Sequence, residues 1–168
     1  MAAPFGRWTA DDLDLLADEA ERSGRGELRL TPWRALLLPG IGAARAARLA
    51  ADWADRFVVD PSDPRLAVAA CPGAPACGNA TTFTHRDALA LADAARGLAR
   101  EGVAVHVSGC AKGCARQAAS PVTLVGRDGA YDVVYAGTAR DEPARRGVAP
   151  ERLAETIREA AEAARTTV

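Results

Sequence analysis

Four thiols stand in two pairs near the middle of the chain. The first pair reads Cys71-Pro72-Gly73-Ala74-Pro75-Ala76-Cys77, a C-x5-C, and the second Cys110-Ala111-Lys112-Gly113-Cys114, a C-x3-C, with 32 residues between the pairs. A [4Fe–4S] cubane takes one thiolate at each iron and draws backbone N–H groups toward its sulfur atoms, which spreads their charge. Glycines at 73, 109 and 113 suit loops that must turn tightly and approach such a group closely. Pro72 and Pro75 stiffen the first loop. A structural zinc ion also takes four thiolates, but its pairs are ordinarily tighter knuckles, and x5 is wide for them. Common ferredoxin runs crowd most of their cysteines into one short segment, and this chain does not. Spacing alone therefore favours a [4Fe–4S] cluster and leaves zinc, disulfides or unrelated buried thiols open.

The rest of the composition asks no stabilising duty of those thiols. At 168 residues and 49% hydrophobic, the chain can bury a core without covalent staples. Its formal net charge is −1, its pI is near 6.1, and no basic stripe emerges, so nucleic acid is not an expected partner. No apolar run reaches the length of about 18 residues that a membrane span requires. The opening MAAPFGRWTADDLDLL lacks the positive patch followed by an apolar run that marks a secretory leader. The expected address is cytoplasmic, with no membrane partner. Thiols there stay reduced and bind metal or do redox work more often than they form bridges.

The elements that must position the cysteines can be read from periodicity. Residues 9–23 form a helix, with Thr9 and Asp12 close to a capping-box pattern and Leu13, Leu16, Ala17 and Ala20 on one face. Residues 27–30 and 35–38 are short strands around Thr31-Pro32-Trp33-Arg34, and an Ala- and Arg-rich helix runs from Gly42 to Trp53. Two prolines in Asp60-Pro61-Ser62-Asp63-Pro64 mark a linker, which divides the chain into domains 1–60 and 61–168. Residues 66–70 form a strand that delivers the chain to Cys71. Thr84 caps a long helix from about Arg86 to Arg100, with Leu89, Ala90, Ala94 and Leu98 on its buried side. Residues 103–107 are a strand leading to Cys110. Strands 121–125 and 131–136 form a hairpin about Arg127-Asp128-Gly129, and Pro150 opens a last helix to about Arg165.

Other residues carry weaker signals. His106 alternates with Val105 and Val107, which fits a satisfied, partly buried histidine as well as a metal ligand. His85 belongs to the cap region of its helix. Trp8, Trp33 and Trp53 are packing residues, with stacking on a flat ligand as a second possibility for Trp33.

Residues 70–77, ACPGAPAC, and 106–115, HVSGCAKGCA, resemble the cluster motifs of the nitrite and sulfite reductase superfamily. Within it they most resemble the precorrin-3B synthases, because Ala111-Lys112 stands where sulfite reductases tend to carry Pro-Asn. Residues 28–40, LRLTPWRALLLPG, are similar to the second ferredoxin-like half-domain of those synthases. Residues 121–127 and Tyr131-Asp132 are similar to the segment after their cluster loop. The resemblance implies an α+β fold, a ferredoxin-like half-domain followed by a mixed-sheet α/β cluster-binding lobe. It implies Cys71, Cys77, Cys110 and Cys114 as ligands of one [4Fe–4S] cluster that passes single electrons to a centre beside a tetrapyrrole. The implied activity is oxygenation of precorrin-3A in cobalamin synthesis, with non-haem iron as a further cofactor. The alternatives are a sirohaem-dependent sulfite or nitrite reductase, or a non-catalytic iron–sulfur electron carrier. Members normally carry two such repeats, and this chain matches the cluster-bearing second one. A homodimer or a first-half chain is then an implied partner, beside a tetrapyrrole substrate and an electron-donating reductase. Arg29, Arg34, Lys112 and Arg116 are the candidate contacts to substrate carboxylates, since the guanidinium fork binds carboxylate in a bidentate way.

Overall fold

The computed structural model describes residues 1–98 and 102–166. By internal contacts the chain divides into two units, Met1–Asp63 and Pro64–Val168. The architecture is α+β, with a small helix–strands–helix unit followed by a lobe built on a mixed sheet.

In the first unit α1 spans Ala10–Ser23, β1 Arg29–Leu30, β2 Leu36–Leu37 and α2 Ala43–Asp52. Helix α1 starts where the sequence predicts. The Thr9 hydroxyl accepts from the Asp12 N–H at 3.1 Å, and the Asp12 carboxylate accepts from the Thr9 N–H at 2.8 Å. Strands β1 and β2 are antiparallel, and Ala2 bridges both Ala35 and Val58, so the amino terminus extends the small sheet. Leu16, Leu36 and Phe57 form the core, with Trp8 tilted and Trp53 edge-on against Phe57 at centroid distances of 5.6 and 5.7 Å. Trp33 departs from its expected packing role: it is 80% exposed, at the tip of the turn between β1 and β2. Leu13 is also exposed, while Asp12 and Glu19 take buried places on α1 because Arg56 and Arg45 pair with them.

The second unit contains β3 Val68–Ala70, α3 Thr84–Arg96, β4 Val105–Ser108, β5 Ser120–Arg127, β6 Ala130–Gly137, β7 Arg145–Val148 and α4 Leu153–Thr166. The strand order is β3-β4-β5-β6-β7; β3, β4 and β5 run parallel and β5, β6 and β7 antiparallel. Helix α3 is the crossover between β3 and β4, and α4 packs on α3. The β5–β6 hairpin turns at Asp128 and Gly129 with φ of +51° and +80°, the left-handed pair a two-residue loop requires.

Three expectations need correction. Pro64 winds residues Pro64–Ala67 into a 3-10 turn, so the strand before Cys71 starts only at Val68. The cap position of α3 is Phe83, and Thr84 is its first helical residue. The buried face of α3 is Ala88, Leu91, Ala92 and Ala95, whereas Leu89 is 49% exposed. An alanine-rich helix offers two overlapping apolar stripes, and the sheet selects one. The predicted helix end at Arg100 lies outside the described residues. No helix among the described residues is long and apolar enough to cross a membrane.

Candidate functional site

The parallel pairing of β3 with β4 sets Ala70 opposite Val107, so both chains leave the sheet at the same carboxyl edge. Cys71 follows β3 directly, and Cys110 comes two residues beyond the end of β4. The two loops meet there. The Gly109 N–H donates to Cys71 Sγ at 3.1 Å, and the Cys71 N–H donates to the Val107 carbonyl at 3.2 Å. A Cβ on Gly109 would lie 2.6 Å from Ala80 Cβ, so only glycine allows this close approach.

Each loop is fixed by its own hydrogen bonds. In the first, the Thr84 hydroxyl donates to the Cys71 carbonyl, the Cys77 N–H to the Gly73 carbonyl at 2.8 Å, and the Ala80 N–H to the Cys77 carbonyl at 3.0 Å. Gly73, at φ +64°, presses so close to Thr84 that a Cβ would lie 2.3 Å from its hydroxyl oxygen. In the second loop the Ser108 hydroxyl donates to the Cys110 carbonyl at 2.7 Å. Gln117 Nε2 donates to the carbonyls of Lys112 at 3.2 Å and Gly113 at 2.7 Å. Cys71 is buried, Cys77 and Cys110 are half-buried, and Cys114 is exposed; all four are free thiols.

Among the described residues, no group of three or more His, Cys, Asp or Glu side chains converges as one metal ion would need. What the fold does bring together is the two cysteine loops, joined by a backbone N–H aimed at a sulfur. In its chemistry that donor set, four soft thiols and one backbone N–H aimed at Cys71 Sγ, fits an iron–sulfur cluster. One sheet face lies under the second loop. Tyr131 bonds to Asp87 of α3 at 2.7 Å, so by register Leu124, Val107 and Val105 share the helix-covered face. His106, Thr123, Val125, Asp132 and Val134 therefore share the other.

On that second face Ala111 lines a cleft of about 260 Å³ with a floor of Val125, Val134 and Ala139. Arg127 and Arg146 stand at its rim, both paired with the buried Asp132, at 3.0 and 3.6 Å. Nothing in the sequence singles these residues out, because only the hairpin register sets Arg127 near Asp132.

The four expected substrate contacts are scattered over both units. Arg29 pairs with Glu27 at 2.7 Å on the surface of the first unit, and Arg34 adopts φ +59° in the β1–β2 turn. In the second unit Lys112 is exposed on the second cysteine loop, and the Arg116 guanidinium donates to the Ala119 carbonyl at 3.3 Å. The sequence also misplaces His106. It is wholly buried rather than partly so, and neither ring nitrogen has a hydrogen-bond partner among the described residues. Burial, reinforced by the Arg116 charge, pushes its pKa down to about 4, so the imidazole is neutral.

The fold and the paired loops define a class: an α+β chain whose mixed-sheet lobe presents cysteine loops at one strand edge. The comparisons give that class its family. Residues 1–55 match the nitrite/sulfite reductase ferredoxin-like half domain. The chain is 35% identical over 146 residues to a precorrin-3B synthase from Sinorhizobium sp, covering 85% of this chain and 31% of the relative. It is 31% identical to the ferredoxin–nitrite reductase of Synechococcus elongatus, covering 95% of this chain and 34% of the relative. The structure of the Mycobacterium tuberculosis NirA protein superposes with a TM-score of 0.59 at 22% identity, over 87% of this chain and 30% of that one. The chain belongs to the nitrite/sulfite reductase superfamily. It spans about a third of the length of the relatives it matches.

Proposed function

We propose that this chain is the iron–sulfur part of a redox enzyme of the nitrite/sulfite reductase type, with Cys71, Cys77, Cys110 and Cys114 holding one [4Fe–4S] cluster. The observation that carries this reading is the Gly109 N–H donating to Cys71 Sγ across the two loops. When bound, the cluster supplies single electrons to a centre beside a tetrapyrrole. The chain's own residues do the positioning. Gly109 stabilises thiolate charge at Cys71, Thr84 and Ser108 fix the carbonyls of Cys71 and Cys110, and Gln117 locks the turn before Cys114.

Two chemistries share such a unit. Reduction of nitrite or sulfite at a sirohaem is supported by the run of nitrite and sulfite reductases among the relatives. Oxygenation of a tetrapyrrole of the precorrin-3A kind is supported by the 35% identity to a precorrin-3B synthase and by Ala111-Lys112 between the last two cysteines. Anaerobic purification followed by an absorption spectrum separates them. Sharp porphyrinoid bands beside a broad cluster band support the reductase; a broad band alone, with turnover of precorrin-3A under oxygen, supports the oxygenase. Protein that holds zinc and no iron rejects both.

A further inference from the structure

His106 is the chemically active side chain that the cysteine site leaves unused. It lies in β4, four residues before Cys110, on the sheet face away from α3. Its in-register neighbours on that face are Ala69 and Thr123; the Thr123 hydroxyl donates to the Gly137 carbonyl at 2.8 Å, and neither ring nitrogen of His106 has a partner among the described residues. The strand neighbours therefore do not satisfy the ring. Above it lies Gly113, between Cys110 and Cys114, whose Cβ position would be 3.7 Å from His106 Cε1. Cε1 is the carbon bonded to both ring nitrogens, so the nitrogen-bearing edge of the imidazole is turned to the underside of the second cysteine loop. Gly113 is itself buried and sits at φ +63° with Ala139 packed 3.2 Å from its Cβ position, so the loop is pressed onto the ring.

A neutral imidazole carries one N–H donor and one bare nitrogen. Leaving both without partners in a wholly buried place is destabilising for each group. An apolar residue would fill the same strand position without that penalty. We infer that His106 is a positioning residue of the cysteine site: its ring N–H hydrogen-bonds to the underside of the Cys110–Cys114 loop when that loop closes on its cluster, and so offsets the negative charge held there. This inference rests on the cluster reading proposed above. It predicts that the empty protein is frustrated at His106 and that loading relieves the frustration.

The test compares the wild type with His106→Leu and His106→Gln before and after anaerobic reconstitution with ferrous iron and sulfide. Removing the unpaired ring from the empty protein should leave its melting temperature unchanged or raised, because no bond is lost there. In the loaded protein His106→Leu should release iron several-fold faster, because the loop loses the donor that holds it, and shift the reduction potential to more negative values, because a donor beside the cluster's negative charge is removed. His106→Gln, which keeps a donor, should stay close to the wild type in potential. Should the leucine variant fail to fold, His106→Phe, nearer in volume, takes its place. A merely structural histidine would destabilise empty and loaded protein alike and leave the potential unmoved, and that result overturns the inference. A wild type that binds no iron and sulfide overturns the cluster reading as well, whereas a loaded wild type with unshifted variants overturns this inference alone.

Discussion

Glu19 in the first unit and His106 in the second are both almost wholly buried, at 1% and 0% exposed, yet they are treated in opposite ways. Arg45 grips Glu19 through two hydrogen bonds, at 2.8 and 2.5 Å, and this contact draws the carboxyl pKa down to about 2 against the cost of burial. His106 has no such partner among the described residues, and burial drives it to the neutral form. The first unit satisfies its buried polar groups internally, as a structural scaffold does. The second keeps an unsatisfied ring directly under a cysteine loop, where a ligand site tolerates what a scaffold does not.

The largest effect expected from this contrast comes from breaking the satisfied pair. Arg45→Leu strands a carboxylate that is 1% exposed and should lower stability more than any of the changes below. Urea unfolding followed by tryptophan fluorescence reads this out in the first unit, because Trp8, Trp33 and Trp53 all lie there. A loss below about half a kcal/mol, the range of an ordinary surface change, would mean the pair is not a structural element.

Acid should separate the two units next. The Glu19 contribution is complete above its ordinary carboxyl pKa of 4.5 and is lost as pH falls from there toward 2. His106 also has a folded pKa below its ordinary value, so keeping it neutral costs nothing above 6.5 and destabilises the fold progressively as pH falls from 6.5 to about 4. Tyr131 and Tyr135 both belong to the second unit, so tyrosine near-ultraviolet circular dichroism should register weakening at higher pH than tryptophan fluorescence does. Coincident acid transitions would erase the contrast.

A smaller loss is expected at the junction of the loops. Gly109→Ala forces a methyl to within 2.6 Å of Ala80 Cβ, which costs about 1–2 kcal/mol and loosens the Cys71 loop. Thermal melts of the empty protein check the stability; iron retention after reconstitution checks the site. The smallest effect belongs to Trp33, whose exposed ring at 80% should be replaceable by serine within about 0.5 kcal/mol.

The sequence makes the scaffold legible where the signals are local. The capping box at Thr9 and Asp12, the Asp128-Gly129 turn and the two cysteine loops just past strands all depend on neighbours in the chain. What it hides depends on distant packing. Strand β7 is Arg145-Arg146-Gly147-Val148, an edge whose exposed residues read as loop until β6 pairs with it. The buried stripe of α3 is chosen by the sheet beneath it. His106 alternates with valines as half-buried strands do, and the return of Gly113 over that face, remote in the strand pattern, helps to cover it. The arginine rim of the cleft beside Ala111 is invisible for the same reason.

The most direct test of the cluster site is iron and acid-labile sulfide analysis of the anaerobically reconstituted chain, beside its Cys71→Ser variant. Equal iron and sulfide amounting to one cubane per chain are expected in the wild type, with loss of most of both in the variant. Iron and sulfide that stay bound at wild-type levels in Cys71→Ser, or a wild type that takes up zinc in their place, would contradict the site.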